Sequence, residues 1–128
     1  MAFLLDTDVA IRLRDGDRAV TQKLAGLGAA MMISVVTRVE LEGGVYRTPD
    51  YVSVRRARLD AMLDSLPCIA FDEVAAREYG AIVAHAGYSR RKLLDRMIAA
   101  QALVHRATLI TFNAADYADI PGLVVEAW

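Results

Sequence analysis

"FLLDTDVAIRL", residues 3–13, decides the frame of this chain. A continuous apolar run, Phe3-Leu4-Leu5, stops at two carboxylates, Asp6 and Asp8, and apolar residues then resume as Val9 and Ile11. A short apolar run bounded in this way suits a strand buried on both faces, and the aspartates suit the start of a helix. The acids have two readings. Asp6 or Asp8 caps the helix, a role worth about 1 kcal/mol, or they stand at a chemical site beyond the strand end.

Working outward, the same alternation recurs. Residues 2–5 read as a strand, and Val20, Leu24 and Leu27 repeat at helical spacing until Gly26-Leu27-Gly28. "AMMISVV", residues 30–36, predicts a second buried strand. A helix is expected from Thr37 through Glu40 and Leu41, weakened at Gly43-Gly44 and terminated by Pro49. Leu59, Met62, Leu63 and Leu66 line one face of a further helix, stopped by Pro67, with Arg55, Arg56 and Arg58 on another face. "CIAF" then reads as a short strand, and Asp72 as the cap of a helix with an Ala75, Tyr79, Ile82, Val83, Ala86 stripe. Asp95 is expected to begin the helix "DRMIAAQALVHRA". "TLITF", residues 108–112, and "GLVVEAW", residues 122–128, supply the last strands. Strands that alternate with helices and are themselves apolar throughout predict an α/β fold, with a mainly parallel central sheet covered on both faces.

The bulk numbers narrow the function classes. At 128 residues and 55% hydrophobic, the chain fits one domain, residues 1–128, with ample core. No apolar run approaches the roughly 18 residues of a membrane span, and the acids at 6 and 8 interrupt the opening as no signal peptide would allow. The single cysteine, Cys68, leaves neither an internal disulfide nor a Cys-rich zinc site; a cytoplasmic location is the default expectation. Fifteen basic residues against sixteen acidic give a net charge of −1, so any nucleic-acid surface must be local.

In sheets of this kind ligands bind beyond the carboxyl ends of the strands. Asp6 and Asp8 lie there. Glu40 follows the second strand by about one helical turn, Asp116 follows "TLITF", and Asp95 opens a helix whose Ile98, Ala99 and Ala102 are expected to pack on the sheet. Asp6, Glu40, Asp95 and Asp116 therefore have a route to one cleft. Crowded carboxylates raise one another's pKa, and a hard divalent cation such as Mg²⁺ offsets that repulsion through oxygen ligands. A cation so held activates water for phosphodiester cleavage.

These residues carry a family resemblance over nearly the whole chain. "LLDTDV" resembles the strand-end motif of the PIN-domain ribonucleases, most closely the VapC toxins of bacterial toxin–antitoxin pairs. "ISVVTRVELEGG" is similar to their second motif and supplies Thr37, Glu40, Leu41 and Gly44. "LLDRMIAAQAL" is similar to the third, with Asp95 as its acid, and "LITFNAADYADIPGLVVEAW" to the closing stretch. Each motif alone is weak; four in order are specific. The resemblance implies a PIN-like three-layer sandwich and a Mg²⁺- or Mn²⁺-dependent endoribonuclease, usually a homodimer, silenced by a VapB-like antitoxin. Asp6, Glu40, Asp95 and Asp116 would be catalytic, Asp6 and Asp95 foremost as metal ligands.

Supporting roles are expected of Thr7 and of Asp8, an outer-shell ligand or a cap. Thr111 and Asn113 are expected to orient Asp116 or the attacking water. Arg90, Arg91, Lys92 and Arg96 surround Asp95 and are candidates for RNA contact or, alternatively, a solvated basic loop. His85 and His105 read as surface or core-edge histidines, and Cys68 as a small core residue. Three other readings compete. "DTDVA" is similar to the nucleophile motif of haloacid-dehalogenase-like phosphatases, but neither Lys23 nor Lys92 follows a strand as that mechanism needs, and no later Gly-Asp-x-x-x-Asp loop is present. A receiver domain would need a late strand-end lysine, where this chain has Asn113. A catalytically inactive PIN fold that only binds RNA or antitoxin should have a broken acidic set, and this one is intact.

Overall fold

The computed structural model describes residues 1–128. Five strands, β1 (Ala2–Leu5), β2 (Ala30–Ser34), β3 (Cys68–Ile69), β4 (Thr108–Thr111) and β5 (Val125–Ala127), form one sheet in the order β3-β2-β1-β4-β5. Every neighbouring pair is parallel. The strand order reverses on either side of β1, so the carboxyl end of β1 is the switch point where such sheets open a crevice.

Alternation along the strands divides the core. Phe3, Leu5, Ile33 and Ile110 face one layer, packed by helices α1 (Thr7–Arg14), α2 (Arg18–Gly26) and α4 (Val52–Ser65) through Val9, Leu24 and Leu59. Leu4 and Leu109 face the other, packed by α5 (Glu73–Ala86) and α6 (Leu93–Val104) through Ile82, Ile98, Ala99 and Ala102. Helix α3 (Val35–Tyr46) serves both layers, Val36 in one and Leu41 with Val45 in the other. The three-layer α/β sandwich is therefore the one expected, with a sheet that is wholly parallel.

The differences are at element ends. The second strand stops at Ser34, and the helix starts at Val35 rather than Thr37. Ser34 accepts from Val36 N at 2.9 Å, so a side-chain cap overrides the strand preference of the two valines. Gln101, fully buried in α6, is hydrogen-bonded to Ser34 Oγ and donates to the carbonyls of Ile69 and Ala70. It ties the last helix to the ends of β2 and β3. Of "CIAF" only Cys68–Ile69 pairs as a strand. Helix α6 begins two residues before Asp95, placing that acid in its first turn. No helix is long and apolar enough to cross a membrane.

Candidate active site

Asp6 is the N-cap of α1 and is also buried at the end of β1. Its backbone N–H donates to Ile110 O, which carries the β1–β4 ladder one residue past the strand. Its carboxylate is held at both oxygens: Thr7 N donates to Oδ1 and Thr111 Oγ1 to Oδ2, each at 2.8 Å. Capping and chemistry are thus not alternatives here. The cap geometry fixes the carboxylate, and each oxygen keeps acceptor capacity for something in the cleft.

Around it the other acids assemble. Thr7 hydroxyl contacts Thr37 hydroxyl at 2.9 Å and donates to Glu40 Oε1 at 2.8 Å, so one threonine links α1 to α3. Asp95 comes from the first turn of α6, and Asp116 from a 3₁₀ turn over Ala114–Tyr117 after β4. A cleft of about 510 Å³ is lined by Asp6, Thr7, Asp8, Glu40, Asp95, Asn113 and Asp116, with Arg90 and Arg91 at its margin.

The electrostatics follow from that crowding. Burial raises the pKa of Asp6 above the ordinary carboxylate range, opposed by the hydrogen bonds from Thr111 and Thr7. Burial likewise raises Glu40, whose residue keeps solvent access although its carboxylate leans under Thr7. Asp95 is pushed up to about 6, by desolvation first and then by the charges of Asp6, Asp116, Glu40 and Asp8. Carboxylates that disfavour one another's charge in an oxygen-only donor set fit a hard divalent cation. No three of them close into a ready cage. The set suits a hard divalent cation that keeps several of its waters and takes one or two carboxylates directly. Asp6 and Asp95 would hold such an ion, with Glu40 and Asp116 reaching it directly or through water.

The supporting residues are placed differently from expectation in two respects. The side chains of Thr111 and Asn113 make no hydrogen bond to the Asp116 carboxylate; Asn113 holds that residue through its backbone, its carbonyl accepting from Asp116 N at 3.0 Å. Thr111 donates to Asp6 and accepts from Asn113 N at 3.0 Å, while Asn113 Nδ2 donates to Asp8 at 3.3 Å. The reason is register: β4 lies beside β1, so its end faces the end of β1. The second difference concerns the basic segment. Arg96 is buried, bonded to Gly87 O and paired with Asp119 at 3.1 Å, so it is structural and not available to RNA. Lys92 also leans to Asp119, at 3.5 Å. Arg90 and Arg91 remain exposed at the cleft. His85 and His105 are exposed and line none of this cleft.

Two residues gained no individual role from the sequence. Tyr117 is buried under the acids; burial first, and then the charges of Asp6 and Asp95, raise its hydroxyl's pKa. The hydroxyl faces Asp6 closely enough to help hold its charge, yet it completes no hydrogen bond of ordinary geometry. The only sequence signal was an aromatic residue following Asp116. Arg14 is buried in the last turn of α1, against Gly44; an arginine at a helix end carries no signal of burial.

Residues 3–123 match the model of the PIN domain family. The chain is 27% identical over 135 residues to "Ribonuclease VapC2" of Rickettsia felis, covering 100% of this chain and 98% of the relative. Among solved structures, VapBC2 from Rickettsia felis bound to a promoter DNA fragment superposes with a TM-score of 0.86 at 25% identity, over 100% of this chain and 99% of that one. A toxin–antitoxin complex from Klebsiella pneumoniae gives 0.75 at 30% identity, over 94% of each chain.

Proposed function

The chain belongs to the PIN domain family, and on that premise we propose that it is a metal-dependent endoribonuclease, the VapC-like toxin of a toxin–antitoxin pair. The observation that carries this reading is the convergence of Asp6, Glu40, Asp95 and Asp116 on one cleft at the switch point of the sheet. The likeness to a relative named as a ribonuclease supports it.

A Mg²⁺ or Mn²⁺ ion bound by the acids would neutralise developing phosphate charge and make water more acidic. The chain's own residues do the rest. Thr111 and Thr7 N fix both oxygens of Asp6, and the Thr7 hydroxyl fixes Glu40, so the acids are aimed before substrate arrives. Arg90 and Arg91 offset the RNA backbone charge at the rim. A water attacks the phosphodiester in line, giving its proton to the acidic cluster. The 3′ oxygen leaves and takes a proton from solvent, so the products carry 5′-phosphate and 3′-hydroxyl ends. Attack by the RNA's own 2′-OH would leave a cyclic phosphate and would need an acid–base pair, commonly histidines. His85 and His105 stand outside the cleft.

Solved relatives include VapBC2 bound to promoter DNA and a toxin–antitoxin complex, which supports a VapB-like antitoxin as the protein partner; a cytoplasmic location goes with that reading. A homodimer goes with the VapC-like reading and is to be read by sedimentation as twice the 14.0 kDa chain mass. The deciding experiment is RNA cleavage by purified protein in Mg²⁺. EDTA, Asp6→Asn and Asp95→Asn should each abolish it while the protein stays folded, and His85→Ala should keep most of it. Cleavage that survives EDTA, or that Asp6→Asn leaves at the parent rate, sinks the metal-nuclease reading.

A further inference from the structure

Beside the acidic cleft, and joined to it through Glu40, lies a smaller pocket of about 240 Å³ between the C-terminal ends of α1 and α3 and the start of α4. Arg14, Arg47, Arg55, Thr48 and the Gly44 backbone line it, with Asp15 and Glu40 as its acids. Three guanidiniums meet two carboxylates. Asp15 is committed to Arg14, its Oδ1 accepting from Nε and forming an ion pair with Nη2, each at 3.0 Å. Glu40 is held from the other side by Thr7.

Arg14 and Arg55 each have a structural task. Arg14 sits in the last turn of α1, and Arg55 Nη1 donates to Gly44 O at 3.0 Å while stacking on Tyr51. Both offset the negative helix ends that meet here. Yet Arg14, whose side chain is only 5% exposed, donates through Nε, pairs with the same carboxylate oxygen through Nη2 and leaves Nη1 without an acceptor. Gly44 is what lets that atom sit where it does: a Cβ there would stand 3.3 Å from Nη1. A buried guanidinium with a free donor on a pocket wall is a strong anion contact in reserve. Arg47 has no acid and no carbonyl partner at all, and it is exposed at the mouth.

We propose that this pocket is a phosphate subsite for the RNA strand, one that seats a backbone phosphate beside the scissile one, on the side of Glu40 opposite Arg90 and Arg91. Arg47 supplies the accessible charge and Arg14 Nη1 the directed donor. The inference rests on the RNA-cleaving reading above and adds a second anchor to it. With arginines on both sides of the acids, the strand is held across the cluster despite the repulsion between its phosphates and the carboxylates.

The test is binding of fluorescein-labelled oligouridylate to the full chain in EDTA, followed by anisotropy across a salt series. Removing Arg14 would leave a hole in packed structure, so Arg47→Ala carries the experiment. It should weaken binding roughly 3–10-fold and lower the salt slope by about 0.7, the value for one lost single-strand contact. Arg47→Lys should restore most of the slope. Arg77→Ala, the same charge change on exposed α5, should do neither. The subsite is overturned if Arg47→Ala binds like the parent, if Arg77→Ala loses as much, or if Arg47→Ala loses affinity for polyglutamate but not for oligouridylate, which would assign the pocket to an acidic protein segment. A parent that binds no oligouridylate overturns it as well. Cleavage lost in Asp6→Asn with Arg47→Ala neutral in binding sinks the subsite alone. EDTA-resistant cleavage sinks the metal reading and leaves the binding result standing.

Discussion

Thr111 donates its hydroxyl to Asp6 across 105 residues of sequence, at 2.8 Å, with both side chains buried. The same oxygen accepts from Asn113 N. One threonine at the end of β4 therefore aims the carboxylate at the end of β1 and anchors the loop that carries Asp116. Thr111→Val keeps the shape and removes both bonds. It should cost about 1–3 kcal/mol of stability and roughly 10–100-fold in metal affinity or cleavage, as for lost outer partners of a ligand. Thr111→Ser should recover most of both. Urea unfolding and Mn²⁺ titration check this, and parent-like values for Val would mean that Asp6 needs no such support.

The raised pKa of Asp95 makes the metal-free protein sensitive to pH. Its folded value is about 6 against an ordinary 3.8, so between those values the folded state binds more protons than the unfolded one. Stability should therefore fall as pH rises through that window, the penalty being complete above about pH 6. Two units correspond to about 3 kcal/mol in a dry site; solvent at the half-buried carboxylate reduces this to on the order of 1 kcal/mol. Asp95→Asn should remove that part of the slope and melt higher than the parent at pH 7.5 in EDTA. Mn²⁺, which must displace the proton, should raise the parent's melting temperature at pH 7.5 and much less at pH 5. A parent and variant with the same melting curve across pH 4–8 would remove Asp95 from the coupled cluster.

Tyr117 presents a buried hydroxyl with no completed hydrogen bond. Tyr117→Phe keeps the ring packed under α6 and deletes the unpaired group, so the metal-free protein should gain about 1 kcal/mol. A loss of similar size would instead show that the hydroxyl bonds Asp6 in solution.

Gly43 and Gly44 are neighbours in α3 with different surroundings. Nothing lies within 4 Å of a Cβ built on Gly43, whereas one on Gly44 meets Arg14 Nη1. Gly43→Ala should stabilise by about 0.5–1 kcal/mol through helix propensity. Gly44→Ala should gain less, since the guanidinium must shift. Thermal melts of the two variants side by side test it; an equal gain would mean that Arg14 moves freely.

Strand and helix alternation, the apolar face of α4 and the Ala99/Ala102 packing surface were legible in the sequence because they are periodic, and periodicity is a local property. The order of the acids along the chain was legible too, since each follows a strand or opens a helix. Other features belong to tertiary structure alone. Where β2 ends depended on the Ser34 cap and on Gln101, a residue 67 positions away. That the Thr111 hydroxyl bonds the carboxylate of Asp6 and not that of Asp116 depended on β4 lying beside β1. That Arg96 is structural while Arg90 and Arg91 stay free depended on Asp119 folding back onto α6. Composition and spacing specify which residues stand at the strand ends. Which of them touch is set by strand order and register, and those are fixed only when non-local pairs close.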